Sequence, residues 1–153
     1  MPTGDTADFA NDGFGITLFG HQFLDPNRRI AGGGEIGYYD LGGKDLGGGS
    51  KLDVSMFPVD FELKVFPTQS TQKARPYVQG GLGFYSVRTE TTFLGIASTT
   101  YDYDFATSAG AGLMIRTNGP VALDVSGVYH WVYAPGTDVN FWSLRGALMI
   151  PKR

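Results

Sequence analysis

The chain has 153 residues, with 12 Lys and Arg against 15 Asp and Glu for a formal net charge of -3, and it contains no cysteine. That balance excludes a nucleic-acid binder, which needs a basic stripe to displace counterions from phosphates, and the lack of thiols excludes a disulfide scaffold and a thiolate zinc site. With 23 glycines, 14% aromatics and only 18% charged residues, it reads as one β-rich domain over residues 1–153.

Taken in chain order, residues 1–13 (MPTGDTADFANDG) hold turn formers and no alternation, and are expected to be a loop and not a strand. From Phe14 a two-residue period sets in, with Phe14, Ile16 and Leu18 on one face and Gly15, Thr17 and His21 on the other, as far as Phe23. Asp25-Pro26-Asn27 is a turn. A second strand over 29–39 sets Ile30, Ile36 and Tyr38 against Ala31, Gly33, Glu35 and Gly37, and the glycine-rich 40–51 that follows is expected to be a flexible loop.

Residues 52–66 (LDVSMFPVDFELKVF) alternate throughout, but their apolar phase changes at Phe57-Pro58: Leu52, Val54 and Met56 share a face, then Val59, Phe61, Leu63 and Val65 do. Proline lacks the ladder donor and a bulge adds the one residue that changes phase, so a bulge is predicted near Pro58. The strand over 76–87 sets Val78, Leu82 and Phe84 against Tyr77, Gln79, Gly81, Gly83 and Tyr85, and 88–100 is expected to be a second long loop. Over 101–115, Tyr101, Tyr103, Phe105, Ala109, Ala111, Leu113 and Ile115 oppose Asp102, Asp104, Ser108, Gly110 and Gly112. Asn118-Gly119 marks a tight reversal, since such a pair accepts the positive φ of hairpin turns. In 121–133 (VALDVSGVYHWVY) the odd positions are apolar or aromatic and the even ones include Asp124, Ser126 and His130; a loop at 134–138 and a strand over 139–150 follow, then a tail at 151–153.

These are about seven amphipathic strands whose connections alternate between short and long, the pattern of an antiparallel up-and-down transmembrane β-barrel. The aromatics suggest two membrane-interface girdles: Tyr38, Phe84, Tyr101, Tyr103, Trp131, Tyr133 and Trp142 beside the long connections, and Phe23, Phe66 and Tyr77 at the opposite ends. The rival is a soluble, lipocalin-like barrel that buries its apolar face around a hydrophobic ligand. Its outer sheet faces would be rich in long charged side chains, yet of the lysines only Lys64 falls within a strand, and the polar face is mainly Gly, Ala, Ser and Thr. A Lys or Arg on the apolar face would cost about 2 to 4 kcal/mol at a bilayer midplane, and no strand carries one there.

Three stretches carry a resemblance: MFPVDFELKVFP at 56–67, RPYVQGGLGFYSV at 75–87 and PTGDTADFANDGFG at 2–15. In these the chain resembles the small OmpA-type outer-membrane β-barrel family. The resemblance implies an eight-stranded parent, residence in the bacterial outer membrane among its lipids, and a first strand preceding the Pro-Thr-Gly-Asp stretch. On that reading the chain lacks a leader and one strand, and the strands at 14–23 and 139–150 face a gap. A ladder between those two, or a strand within residues 1–13, would speak against it.

Chemistry is sparse. Glu35, Asp60, Glu62, Lys64, Asp124, His130 and Arg145 are expected to point into the lumen as a network of ion pairs filling a narrow interior; a small-solute pore with a carboxylate-rich lumen is the alternative. Ser126 and His130 share a face four residues apart, about 13 Å, too far for an activated serine, so no catalytic residue is assigned and an enzyme is not expected. Two isolated histidines match no metal-ligand spacing, and neither a metal nor another cofactor is expected. Asp102 and Asp104 read as solvating acids beside a loop. Function is thereby assigned to a structural, adhesive or envelope role, with an extracellular ligand met through loops 40–51, 88–100 and 134–138.

Overall fold

Residues 2–3, 13–69, 71–118, 121–134 and 139–149 are described by the structure, a computed structural model. Among them the chain is all β: β1 (Pro2–Thr3), β2 (Phe14–Phe23), β3 (Ile30–Gly47), β4 (Ser50–Val65), β5 (Ala74–Phe93), β6 (Ile96–Arg116), β7 (Ala122–Tyr133) and β8 (Val139–Met149). They form one antiparallel sheet in the order β1-β8-β7-β6-β5-β4-β3-β2, so that each long strand pairs with its neighbour in sequence. The sheet curls on itself, because side chains of distant strands meet across it: Glu35 of β3 reaches Arg145 of β8, and Lys64 of β4 reaches Asp124 of β7. Among the described residues β2 and β8 share no ladder, so the barrel-like sheet is open along one seam.

Alternation places the faces as strand geometry requires. Glu35 (1% exposed), Lys64 (3%) and His130 (0%) are inside, while Phe61 (50%) and Leu82 (55%) are outside. Leu123, Val125 and Trp131 also face outward, the reverse of what a barrel enclosing a hydrophobic ligand needs.

Several expectations require correction. Residues 40–51 and 88–100 are not flexible loops but the ends of long hairpins. β3 runs into β4 through Gly48-Gly49, and β5 into β6 through Leu94-Gly95, both of whose φ angles are positive (47° and 83°) as a two-residue hairpin turn demands. Threonines at 89, 91, 92, 99 and 100 favour the extended backbone, so β3 to β6 continue as a ribbon sheet beyond β7 and β8. Within residues 1–13, Pro2–Thr3 pairs with Phe141 and Asn140 of β8, so that segment is not all loop, and this short strand speaks against the expectation of a chain that lacks one strand. Residues 135–138, and Gly119, Pro120 and Ile150 at other predicted boundaries, lie outside the described residues.

No bulge forms at Pro58. The ladder from β4 to β5 is unbroken through Pro58↔Tyr85, and that from β3 to β4 passes from Ile36↔Val59 to Tyr39↔Met56 in the same register. The proline's missing N–H interrupts pairing on one side without inserting a residue. The bulges lie instead at Asp40/Gly43 and Asp45/Gly47, where Gly42 and Gly47 take positive φ and each N–H donates to an aspartate carboxylate two residues earlier. The phase change in the sequence has a different cause. Val54 and Met56 point inward like Asp60 and Glu62, because the interior itself turns apolar towards the hairpin end. There Tyr39, Leu41, Val54, Met56, Tyr85, Val87, Ala106, Val132 and Phe141 pack into one layer.

A second apolar layer closes the other end: Ala31, Phe66, Tyr77, Met114 and Ala122, with Phe23 against it. Phe23, Phe66 and Tyr77 are therefore interior residues and not an outer girdle. The Phe66 ring packs at a tilt against both Phe23 and Tyr77, and the Arg75 guanidinium lies 4.3 Å over Phe66 while donating to the Arg28 carbonyl.

Candidate functional site

Between the two apolar layers lies a belt of buried charge. Register puts Glu35 of β3 opposite Asp60 of β4, and alternation places Glu62 and Lys64 next along the same inner face. Arg145 comes from β8 on the far side; its Nη1 donates to Glu35 and also, over 2.7 Å, to Glu62 Oε1. One cation thus bridges two carboxylates of neighbouring strands, which closes the belt across the interior. Glu62 also accepts from Gln79 Nε2 at 3.4 Å, and His21 Nε2 lies 3.3 Å from its other oxygen, near enough for ion pairing but not aligned for a hydrogen bond. The Tyr39 hydroxyl donates to Glu35 Oε1 over 3.3 Å.

A second thread runs through His130, the fully buried imidazole of β7. Its ring stacks on Phe141 at 4.5 Å and 10°. Nδ1 is 2.7 Å from the Tyr85 hydroxyl, which donates to Asp60 Oδ2 over 2.9 Å; Nε2 is 2.8 Å from Ser143 Oγ and 3.4 Å from Arg145 Nη2. Because the tyrosine proton goes to Asp60, the Nδ1–H tautomer donates to Tyr85 and Nε2 accepts from Ser143, leaving every group satisfied. A third cluster joins Lys64, Asp124 and Tyr77. Tyr77 donates to Asp124 Oδ1 at 2.6 Å, and the Lys64 ammonium lies 3.4 Å from Asp124 Oδ2, 4.6 Å over the Tyr77 ring and 5.0 Å over Phe19.

All seven residues expected to line the lumen (Glu35, Asp60, Glu62, Lys64, Asp124, His130 and Arg145) thus face inward, and the structure divides them among these clusters. Tyr39, Tyr77, Tyr85, Gln79, His21 and Ser143 complete the clusters; of these the sequence reading weighed only His21, as a histidine without metal-ligand spacing, and Tyr77, which it assigned to a girdle. Their inward parity was readable from alternation, but nothing in one strand names its partner across a barrel. The serine beside His130 is Ser143 of β8 and not Ser126, because β7 and β8 are adjacent while residues along one strand diverge. The order serine, histidine, tyrosine, carboxylate suits an activated hydroxyl; here the ring is buried and stacked on Phe141, with the Arg145 guanidinium 3.4 Å from Nε2.

The outward face carries the aromatics. Tyr38, Phe84, Tyr101, Tyr103, Trp131, Tyr133 and Trp142 are all exposed, and several interlock: Tyr129 packs edge-on against both Trp131 and Trp142, and Phe105 bridges Phe84 and Tyr133. On the ribbon, Arg88 pairs with Glu90, and Lys51 with Asp53 at 2.9 Å, which holds the Lys51 ammonium above its usual range. Asp102 is exposed as expected. Asp104 is not: it is buried, with Oδ2 lacking a hydrogen-bond partner. Among the described residues no cluster of His, Asp and Glu is arranged to hold a metal ion. In comparisons with known proteins the chain matches no family model and no curated protein sequence.

Proposed function

We propose that this chain is a bacterial outer-membrane β-barrel protein of the small OmpA-like kind, whose interior is a filled structural core and whose role in the envelope is exercised by the ribbon formed by β3 to β6. The observation that carries the reading is inverted polarity. Apolar side chains such as Val59, Phe61, Leu63, Leu82, Leu113 and Val125 face outward, while Glu35, Glu62, Lys64, Asp124 and His130 are sealed inside. In water that arrangement exposes a continuous greasy band and is unfavourable by roughly 25 cal/mol for each Å²; in hydrocarbon it is the favourable one. From Phe57 to Val65 the outward residues of β4 span about 26 Å of strand, about 20 Å of depth at a tilt near 40° and close to the band such barrels present to lipid.

The apolar layers above and below the charged belt favour the filled interior over a small-solute pore, since neither end offers a polar path to the belt. The two tryptophans are both outward, which provides a direct test. Folded into phosphatidylcholine vesicles, the protein should show blue-shifted emission quenched by lipids brominated near the headgroup. Water-like emission, with protein remaining soluble and unbound, would overturn the membrane reading.

A further inference from the structure

The geometry points to a binding site for a phosphate-bearing anion at the end of the sheet opposite the ribbon, where the connections from β2 to β3, β4 to β5 and β6 to β7 lie. Charge there is one-sided. These connections and the strand ends beside them carry Arg28, Arg29, Lys73, Arg75 and Arg116, against a single carboxylate among the described residues, Asp25. Asp25 is engaged within its own turn, where Oδ1 accepts from the N–H groups of Arg29 and Ile30, both at 2.7 Å. The ribbon end has the opposite excess, as at Asp45, Asp53, Glu90 and Asp102. A net charge of only -3 thus conceals a separation of sign along the barrel.

Backbone pairing holds the cations side by side. The Phe66 N–H donates to the Arg29 carbonyl over 2.7 Å, which ties the first connection to the second, and the Arg116 N–H donates to the Lys73 carbonyl over 2.8 Å, which ties the second to the third. Arg75 Nη2 donates to the Arg28 carbonyl at 2.5 Å, and the guanidinium groups of these two arginines lie over the same Phe23 ring, at 5.5 and 5.9 Å.

Arg75 is the group that calls for a ligand. It is 2% exposed, and its Nε has no hydrogen-bond partner. The charges that bear on it are Arg116, Asp25 and Arg28, two cations for one acid. The buried cations of the belt differ: Lys64 has Asp124, and Arg145 has Glu35 and Glu62. A buried charge is tolerable when it is paired, and ring contacts with Phe66 and Phe23 supply only part of what a counter-ion would. An anion seated against Arg28, Lys73 and Arg116 provides that countercharge. Guanidinium forks match the oxygens of a phosphate, and cations from three connections suit a dianion with several oxygens better than chloride. The ligand class is therefore a phosphate group, carried by a soluble anion or by an anionic lipid headgroup.

Arginine Nε–H signals, read by NMR in an uncharged, phosphate-free detergent at fixed ionic strength, test the site. Replacing chloride by inorganic phosphate should shift the Arg28, Arg75 and Arg116 signals along one saturable curve and leave Arg88, paired with Glu90 on the ribbon, where it was. Arg28→Gly removes a donor without straining the turn, because glycine takes the φ of 55° freely, and should weaken phosphate binding about tenfold. Lys73→Gln, at an exposed position in a connection, should weaken it as well. The site does not depend on what surrounds the apolar band, so this titration gives its answer whether or not the protein resides in a membrane. Bicelles of phosphatidylcholine with and without phosphatidylglycerol then separate the two sources. Phosphatidylglycerol that moves the same three signals and blocks the phosphate shift identifies a headgroup; an undiminished phosphate shift in both identifies a soluble anion. Shifts that chloride reproduces, that extend equally to Arg88, or that persist at full strength in both variants would overturn the proposal.

Discussion

Arg145 is the residue on which the charged belt depends. Among the described residues it alone pairs with both Glu35 and Glu62, and its loss leaves these two buried carboxylates without that partner. Breaking a buried pair by removing one partner costs about 3 to 5 kcal/mol, most of it the stranded charge. Arg145→Met should therefore lower the urea midpoint of unfolding in micelles severely, and adding Glu62→Gln should recover part of the loss. If Arg145→Met unfolds like the parent, the belt is not what holds the interior. Glycine matters most where strands crowd. A Cβ at Gly83 would meet the Val59 carbonyl and Asp60, so Gly83→Val should cost about 1 to 3 kcal/mol in the same assay, more than the same change at Gly127, whose Cβ meets nothing.

At the scale of an element, the hairpin ends behave differently from the barrel they extend. From Ile96 to Tyr103 every residue of β6 is exposed, and the strand has lost β7 as a neighbour there, so it is held by the β5 ladder and its turn alone. Gly95 sits at φ 83°. Gly95→Val should strain this turn by roughly 1 to 2 kcal/mol, opening Phe93–Ile96 to limited proteolysis while the charged belt stays folded. Loss of the barrel along with the tip would show that the two are one cooperative unit. These ribbons were missed in sequence because glycine-rich and threonine-rich runs lack the apolar alternation that marks a strand with a buried face. A two-sided, solvated ribbon has no such face and announces itself only by its turns. The same one-strand view misplaced the bulge: a phase change in hydrophobicity reads as an inserted residue unless the interior's own layering is known.

For the molecule as a whole, the decisive test is which face tolerates charge. Leu82 lies mid-band on β5, opposite Phe61, and Leu82→Arg should destabilise the protein by about 2 to 4 kcal/mol in bilayers. The same change on the exposed ribbon, at Thr99, should be close to neutral. Equal effects at both sites would count against a lipid-facing band. Planar-bilayer recordings of the intact protein should show no steady conductance, because Phe66 and Tyr77 at one end and Met56 and Phe141 at the other close the belt off. Sustained single-channel steps would favour the carboxylate-lined pore.

The sequence by itself determined the all-β class, the strand centres and the facing of almost every side chain in them, because a period of two is a local property of extended backbone. Only the tertiary structure decided who meets whom. Arg145 finds Glu35 and Glu62, and His130 finds Ser143, through curvature that brings strands distant in sequence together. The apolar layers and the open seam belong to the same level, since they arise from how the sheet curls; on β4 the layering shows only as a phase change at Phe57-Pro58, whose cause the single strand does not give.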